Sequence, residues 1–139
     1  MFTFGRQREK ECALRYLKEP KQAHLIEAVV DAVHDLLEGR MSPDAIRAVL
    51  SRAFVEGGTG VWEQTGSWLQ KLIGDQPTLE SLWSEFASHP ESKVRFRAAC
   101  FINEMSPTLA REIGSRLSLD RSKKVREMAE ARLSGLTPG

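Results

Sequence analysis

Three histidines, two cysteines and a run of acidic residues are the side chains whose chemistry could be put to work here, and their spacing speaks against most of it. His24 and His34 lie ten residues apart on one helical segment, whereas two ligands on one helix face need a spacing of four. Glu27, Asp31, Asp35 and Glu38 recur every three to four residues, with His34 beside Asp31 and Glu38 as a weak cluster. That period reads as a solvated acidic face, while general acid work needs a carboxylate in an apolar pocket. His89 precedes Pro90 and reads as a helix-cap or turn residue. Cys100 sits in the apolar run Ala98-Ala99-Cys100-Phe101-Ile102, which suits a small buried thiol better than a disulfide or a ligand. Gly57-Gly58-Thr59-Gly60 lacks the Gly-Lys-Ser/Thr that would cradle phosphate, leaving a flexible turn between helices. No Ser/His/Asp or Cys/His arrangement follows from residue order. The expectation is a protein that is not an enzyme, with no catalytic residue, metal or cofactor.

Binding chemistry has better candidates. Lys93, Arg95 and Arg97 start one helical segment, and Lys123, Lys124 and Arg126 start another. Together they could form a basic stripe, although Asp120–Lys124, Lys123–Glu127 and Arg126–Glu130 stand at four-residue spacing and partly neutralise it. Charge is divided unevenly. Residues 1–88 carry 10 Lys/Arg against 13 Asp/Glu, a net of −3, and residues 89–139 carry 10 against 6, a net of +4. Trp62, Trp68 and Trp83 at helical spacing are most simply core. Trp62 and Trp68 are six apart, however, so they point to different sides of one helix. One of them is therefore expected at the surface, where Trp is a common interface anchor. Trp62, just after the glycine loop, is the choice.

The elements that must position these groups are all helices. At 139 residues the chain reads as one domain, large enough to bury about two-thirds of its unfolded surface. Its formal net charge of +1 gives no global field toward nucleic acid or membrane. Met1-Phe2-Thr3-Phe4-Gly5 runs directly into a charged segment, unlike a secretory signal. No stretch approaches the roughly 20 apolar residues needed to span a bilayer. A cytoplasmic protein without a membrane partner is expected.

Helix signals follow one another along the chain. Residues 6–18 are polar with Ala13, Leu14 and Leu17 on one side, and residues 20–38 place Ile26, Val29, Val30, Val33 and Leu37 at helical spacing. Gly39 is a natural C-terminal stop. Ser42-Pro43-Asp44 is a helix start, since serine caps, proline suits the first turn and aspartate opposes the dipole. Ile46, Val49, Leu50 and Phe54 should point inward from that helix, and residues 61–73 make the next one. Segments 77–88, 91–104, 107–117 and 122–134 complete the set. Leu79, Leu82, Trp83, Phe86, Val94, Ala98, Phe101, Ile102, Leu109, Ile113 and Leu117 are their inward positions.

Two phrases are written twice. Pro77-Thr78-Leu79 returns as Pro107-Thr108-Leu109, 30 residues on, and Lys93-Val94-Arg95 returns as Lys124-Val125-Arg126, 31 residues on. Such a period marks stacked helical repeats. At the 31-residue offset Val94, Ala98 and Ile102 align with Val125, Ala129 and Leu133, all apolar, while Phe96, Ala99 and Phe101 become Glu127, Glu130 and Arg132. A terminal repeat needs a polar outer face, so 122–134 should be the end cap.

The segment Pro90-Glu91-Ser92-Lys93-Val94-Arg95-Phe96-Arg97-Ala98-Ala99 resembles the second helix of a HEAT-type repeat, and Asp120-Arg121-Ser122-Lys123-Lys124-Val125-Arg126-Glu127-Met128-Ala129 looks like the same motif with its leading aspartate. The resemblance covers 77–134. It implies an all-α, short right-handed α-solenoid of three to four stacked hairpins: 6–38 as an N-terminal pair, 43–76 as a degenerate repeat, 77–106 as a repeat, and 107–137 as the capping repeat. It also implies an inter-repeat ladder of aspartate and arginine, matched by Asp120 and Arg126. Arg95 matches as well, but His89 stands where its aspartate belongs. Second helices of such stacks line a concave face. The implied function is a protein-binding module whose partner-binding residues are Trp62, Lys93, Arg95, Arg97, Lys123, Lys124 and Arg126. An immunity protein that neutralises a toxin is one alternative, and grip on a nucleic-acid backbone by the basic C-terminal half is another.

Overall fold

The computed structural model describes residues 5–15, 17 and 19–136. Among them are eight α-helices and no strand, so the all-α class holds. The chain divides into two compact units, Met1–Leu79 and Glu80–Gly139. The division falls within the short 3-10 turn Pro77–Glu80, close to where the repeat resemblance begins.

The first unit holds α1 (Arg6–Leu14), α2 (Ala23–Leu37), α3 (Pro43–Glu56) and α4 (Trp62–Ile73). The helix expected over 6–18 stops at Leu14. Tyr16 and Lys18 lie outside the described residues, and Glu19 is extended (φ −118°, ψ 103°), as the residue before a proline prefers. Helix α2 is central, packed on α1, α3 and α4. It buries Leu25, Ile26, Val29, Val30, Ala32, Val33 and Leu36, which is more than one stripe and suits a helix covered on several sides. Leu37, expected inward, is 40% exposed, and Leu36 takes the buried position.

The ends of α2 and α3 follow from named residues. Gly39 has φ +79°. Its N–H bonds the Leu36 carbonyl at 3.1 Å, and the Arg40 N–H bonds the Asp35 carbonyl at 2.8 Å. This is the paired closure that favours glycine just past a helix end. The Ser42 hydroxyl accepts from the Ala45 N–H at 3.2 Å, with Pro43 in the first turn, as the capping reading requires.

The second unit holds α5 (Ser81–Ala87), α6 (Ser92–Cys100), α7 (Pro107–Leu117) and α8 (Lys123–Ser134). Pro77 opens a 3-10 turn rather than the helix itself, whereas Pro43 and Pro107 do open theirs. Helix α5 packs on α6, α7 on α8, and α6 against α8. Trp83, fully buried, stacks on Phe101 with centroids 5.0 Å apart and meets the edge of Phe86 at 6.1 Å. Val94, Ala98, Ile102, Val125 and Ala129 fill the space around α6 and α8. At the positions that change between the two copies, Ala99 and Phe101 are buried, while Glu127 and Glu130 are exposed.

Candidate functional site

The two repeated arginines fold back in the same way. Arg95 Nη1 donates to the His89 carbonyl at 2.8 Å, and Arg126 Nη1 donates to the Asp120 carbonyl at 2.8 Å. Each bond reaches back six residues, and the two are offset by the 31-residue period. Arg95 then does more. Its Nε and Nη2 donate to the two carboxylate oxygens of Asp120 at 2.8 and 3.2 Å, and Nη1 also reaches the Pro90 carbonyl at 2.9 Å. The missing aspartate at His89 therefore does not leave Arg95 idle, because its acid comes from the turn before α8. Burial pushes the Asp120 carboxyl up. The Arg95 bonds, the Ser122 N–H and the charges of Arg95 and Arg121 outweigh that and hold it below its usual range.

This geometry bears on Arg95 and Arg126, both expected among the partner-binding residues. Arg95 is only 6% exposed, and its guanidinium makes four hydrogen bonds within the chain, which makes it a structural tie. Arg126 is half-buried, and its Nη1 is held by the Asp120 carbonyl.

Four of the basic candidates stay at the surface of this unit. Lys93, Lys123 and Lys124 are exposed, and Arg97 is half-buried. Lys93 lies 3.9 Å from Glu91 and Lys123 lies 3.7 Å from Glu127, so two of the lysines are partly neutralised. Lys93, Phe96 and Arg97 share one face of α6, and the equivalent positions Lys124, Glu127 and Met128 share one face of α8. Phe96 and Met128 are half-exposed on that face. They were not among the expected binding residues, although their three- and four-residue spacing from Lys93 and Lys124 was available as a signal.

Trp62 belongs to the first unit. It is half-buried and stands edge-on to Phe54, centroids 6.1 Å apart. Trp68 is also half-buried, with the Lys71 ammonium 4.8 Å above its ring. Trp68, not Trp62, lines a cleft of about 360 Å³ between α1 and α4, together with Glu9, Cys12, Glu63 and Lys71.

The acidic stripe of α2 stays partly exposed, as its period suggested, and three of its carboxylates are paired with basic side chains. Arg6 bridges to Asp31 at 3.4 Å and to Asp35 at 2.8 Å, Lys10 pairs with Asp31 at 2.9 Å, and Arg40 pairs with Asp35 at 3.0 Å and with Glu38. The Arg6 and Arg40 bonds hold the Asp35 carboxyl below its usual range. His34 is buried beside this network, and burial, aided by the Arg6 charge, lowers its pKa.

The glycine loop is held rather than loose. Gly58 N–H donates to Gln22 Oε1 at 2.7 Å, Gly60 N–H donates to Glu63 Oε1 at 2.6 Å, and Gln64 Nε2 bridges the Gly60 and Ala13 carbonyls at 2.6 and 2.9 Å. Among the described residues no group of three His, Cys, Asp or Glu side chains is placed to hold a metal ion, and no helix is long and apolar enough to cross a membrane. Comparison with protein-family models, with curated protein sequences and with solved structures returned no match.

Proposed function

We propose that this chain is a non-enzymatic protein-binding module built from HEAT-like hairpins, and that its binding face is the one shared by α6 and α8. The observation that carries this reading is the Arg95–Asp120 tie. A bidentate bond between a buried arginine and the turn before α8 fixes α8 in register beside α6. Surface positions repeated at 31-residue spacing then fall on two helices that pack together: Lys93 and Lys124, Phe96 and Glu127, Arg97 and Met128. Half-exposed Phe96 and Met128 supply apolar contact, and Lys93, Arg97 and Lys124 supply charge around them. A protein partner suits this combination, since interface cores favour aromatic, Met and Arg side chains.

The test is affinity capture from the native host with mass spectrometry, comparing the intact chain with Phe96→Ala and Lys124→Glu variants. One protein recovered in stoichiometric amount by the intact chain and lost by both variants is the expected result. Nucleic acid in place of protein, or a partner retained by both variants, would overturn the reading.

A further inference from the structure

At the turns that lead into α6 and α8 the second unit has a shallow depression of about 360 Å³, whose walls include Ser88, His89, Arg95, Arg116, Asp120 and Arg121. Its one carboxylate is already engaged. Asp120 Oδ2 accepts from Arg95, and Oδ1 accepts from Arg95 and from the Ser122 N–H at 2.8 Å. Arg116, Arg121 and the His89 ring bring donors to the depression. Arg116 is exposed, and its Nη1 is steadied by the Ser88 hydroxyl at 2.7 Å. Arg121 is exposed, and neither arginine belongs to an ion pair among the described residues. His89 Nδ1 accepts from the Glu91 N–H at 3.0 Å, which leaves the neutral ring's proton on Nε2. A hollow with two arginines in its wall, an imidazole N–H and no uncommitted acid is set for anionic oxygen.

We propose that this depression docks an acidic peptide segment, with Arg116 and Arg121 taking its carboxylates. The inference rests on the protein-binding reading and names the chemistry of the partner. Arginine's planar fork matches carboxylate geometry and loses little freedom when already steadied. Duplex nucleic acid fits less well, because gripping it takes a row of cations against successive phosphates. In this unit the exposed lysines Lys93 and Lys123 each stand beside an acid, Glu91 and Glu127.

The experiment measures fluorescence polarisation of a labelled hexaglutamate peptide with the full chain at low salt. Arg116→Gln and Arg121→Gln are each expected to weaken binding about tenfold, as loss of a charge-assisted hydrogen bond should. Arg52→Gln, on α3 and not in the wall of the depression, is expected to leave it unchanged. Arg121→Gln removes no hydrogen bond among the described residues, and thermal melts of all variants report folding separately. Absence of hexaglutamate binding, equal binding by both arginine variants, or displacement of the peptide by a mixed-sequence DNA duplex at lower concentration would overturn the proposal. A native partner retained by both arginine variants but lost by Phe96→Ala would also remove this site, while leaving the protein-binding reading intact.

Discussion

Arg95 and Asp120 meet side by side, guanidinium to carboxylate, with only 7% and 9% of the two side chains exposed. Arg95 is in the first turn of α6, and Asp120 lies in the turn before α8. The bond therefore ties the first turn of α6 to the turn before α8, 25 residues apart. Each partner has other work. Arg95 also closes its own turn onto the His89 and Pro90 carbonyls, and Asp120 also accepts from the Ser122 N–H. Loss of either side chain would leave the other buried with its charge uncompensated.

Asp120→Ala should therefore destabilise the protein by about 3 kcal/mol, the cost of breaking a buried pair from one side. The paired replacement Arg95→Met with Asp120→Leu should cost less than the sum of the two single changes, since no orphan charge remains. Urea denaturation with an unchanged m-value is the measurement. A loss under about 1 kcal/mol for Asp120→Ala would show that the pair is no more than an exposed salt bridge in effect.

The same pair sets an acid limit. Asp120 has its folded pKa below that of the unfolded chain, so below the ordinary carboxylate range the unfolded state binds the extra proton. Its contribution is fully present above about pH 4 and is lost as pH falls through the folded value. Stability against pH should drop in that acid range for the intact chain, and Asp120→Asn should flatten the drop. An unchanged acid limb would remove Asp120 as its source.

His34 acts in a higher window with the same sign. Its neutral form is favoured by burial and by Arg6, against the opposing pull of Glu38, Glu9 and Asp31. The unfolded chain then takes up a proton near pH 6.5 that the folded chain resists. Stability should be steady above about pH 7 and fall as pH drops from there toward the lowered folded value. His34→Gln should remove that slope, and denaturant midpoints taken between about pH 5 and 7.5 would show it.

The pattern of apolar residues revealed the helices because burial has a period, and the caps at Ser42 and Gly39 were legible because their chemistry is local. Partners of charged groups were not legible. Asp31, Asp35 and Glu38 have the same spacing whether they face water or face Arg6 and Lys10. Arg95 reads as a surface cation until the turn that brings Asp120 to it is known. Phe96 was visible as an apolar residue, yet its half-exposed position is set by the packing around it and not by its type. Long-range placement, not residue type, separates a tie from a contact.

Helix α1 illustrates that difference in energetic terms. Ala13 is its one buried side chain among the described residues. Much of what joins it to α2 is the set of ion pairs from Arg6 and Lys10, all partly exposed. Such pairs weaken as salt shortens the screening length from about 10 Å at 0.1 M to about 3 Å at 1 M. Amide hydrogen exchange in α1 should accelerate with salt while α2 and α3 stay protected, and Arg6→Ala should reproduce the effect at low salt. Exchange in α1 that is independent of salt would mean that Ala13 and the Gln64 bond to its carbonyl hold the helix instead.

Gly57 makes a prediction of the opposite kind, set by shape alone. Its φ is −69°, so an L-residue could adopt the backbone without strain. A Cβ there, however, would stand 2.4 Å from the Ala53 carbonyl oxygen and 2.4 Å from Val61 Cγ1. The first neighbour is helix backbone, and the second belongs to a fully buried side chain, so neither can retreat cheaply. The next residue, Gly58, is bonded to Gln22, which restricts movement of the loop as a whole. Gly57→Ala should cost about 2 kcal/mol through overpacking. A Gly57→Ala, Val61→Ala double variant tests the cause: relief of one clash should make the double less destabilised than the two single losses summed. Strict additivity in urea midpoints would show that Val61 is not what Gly57 must avoid.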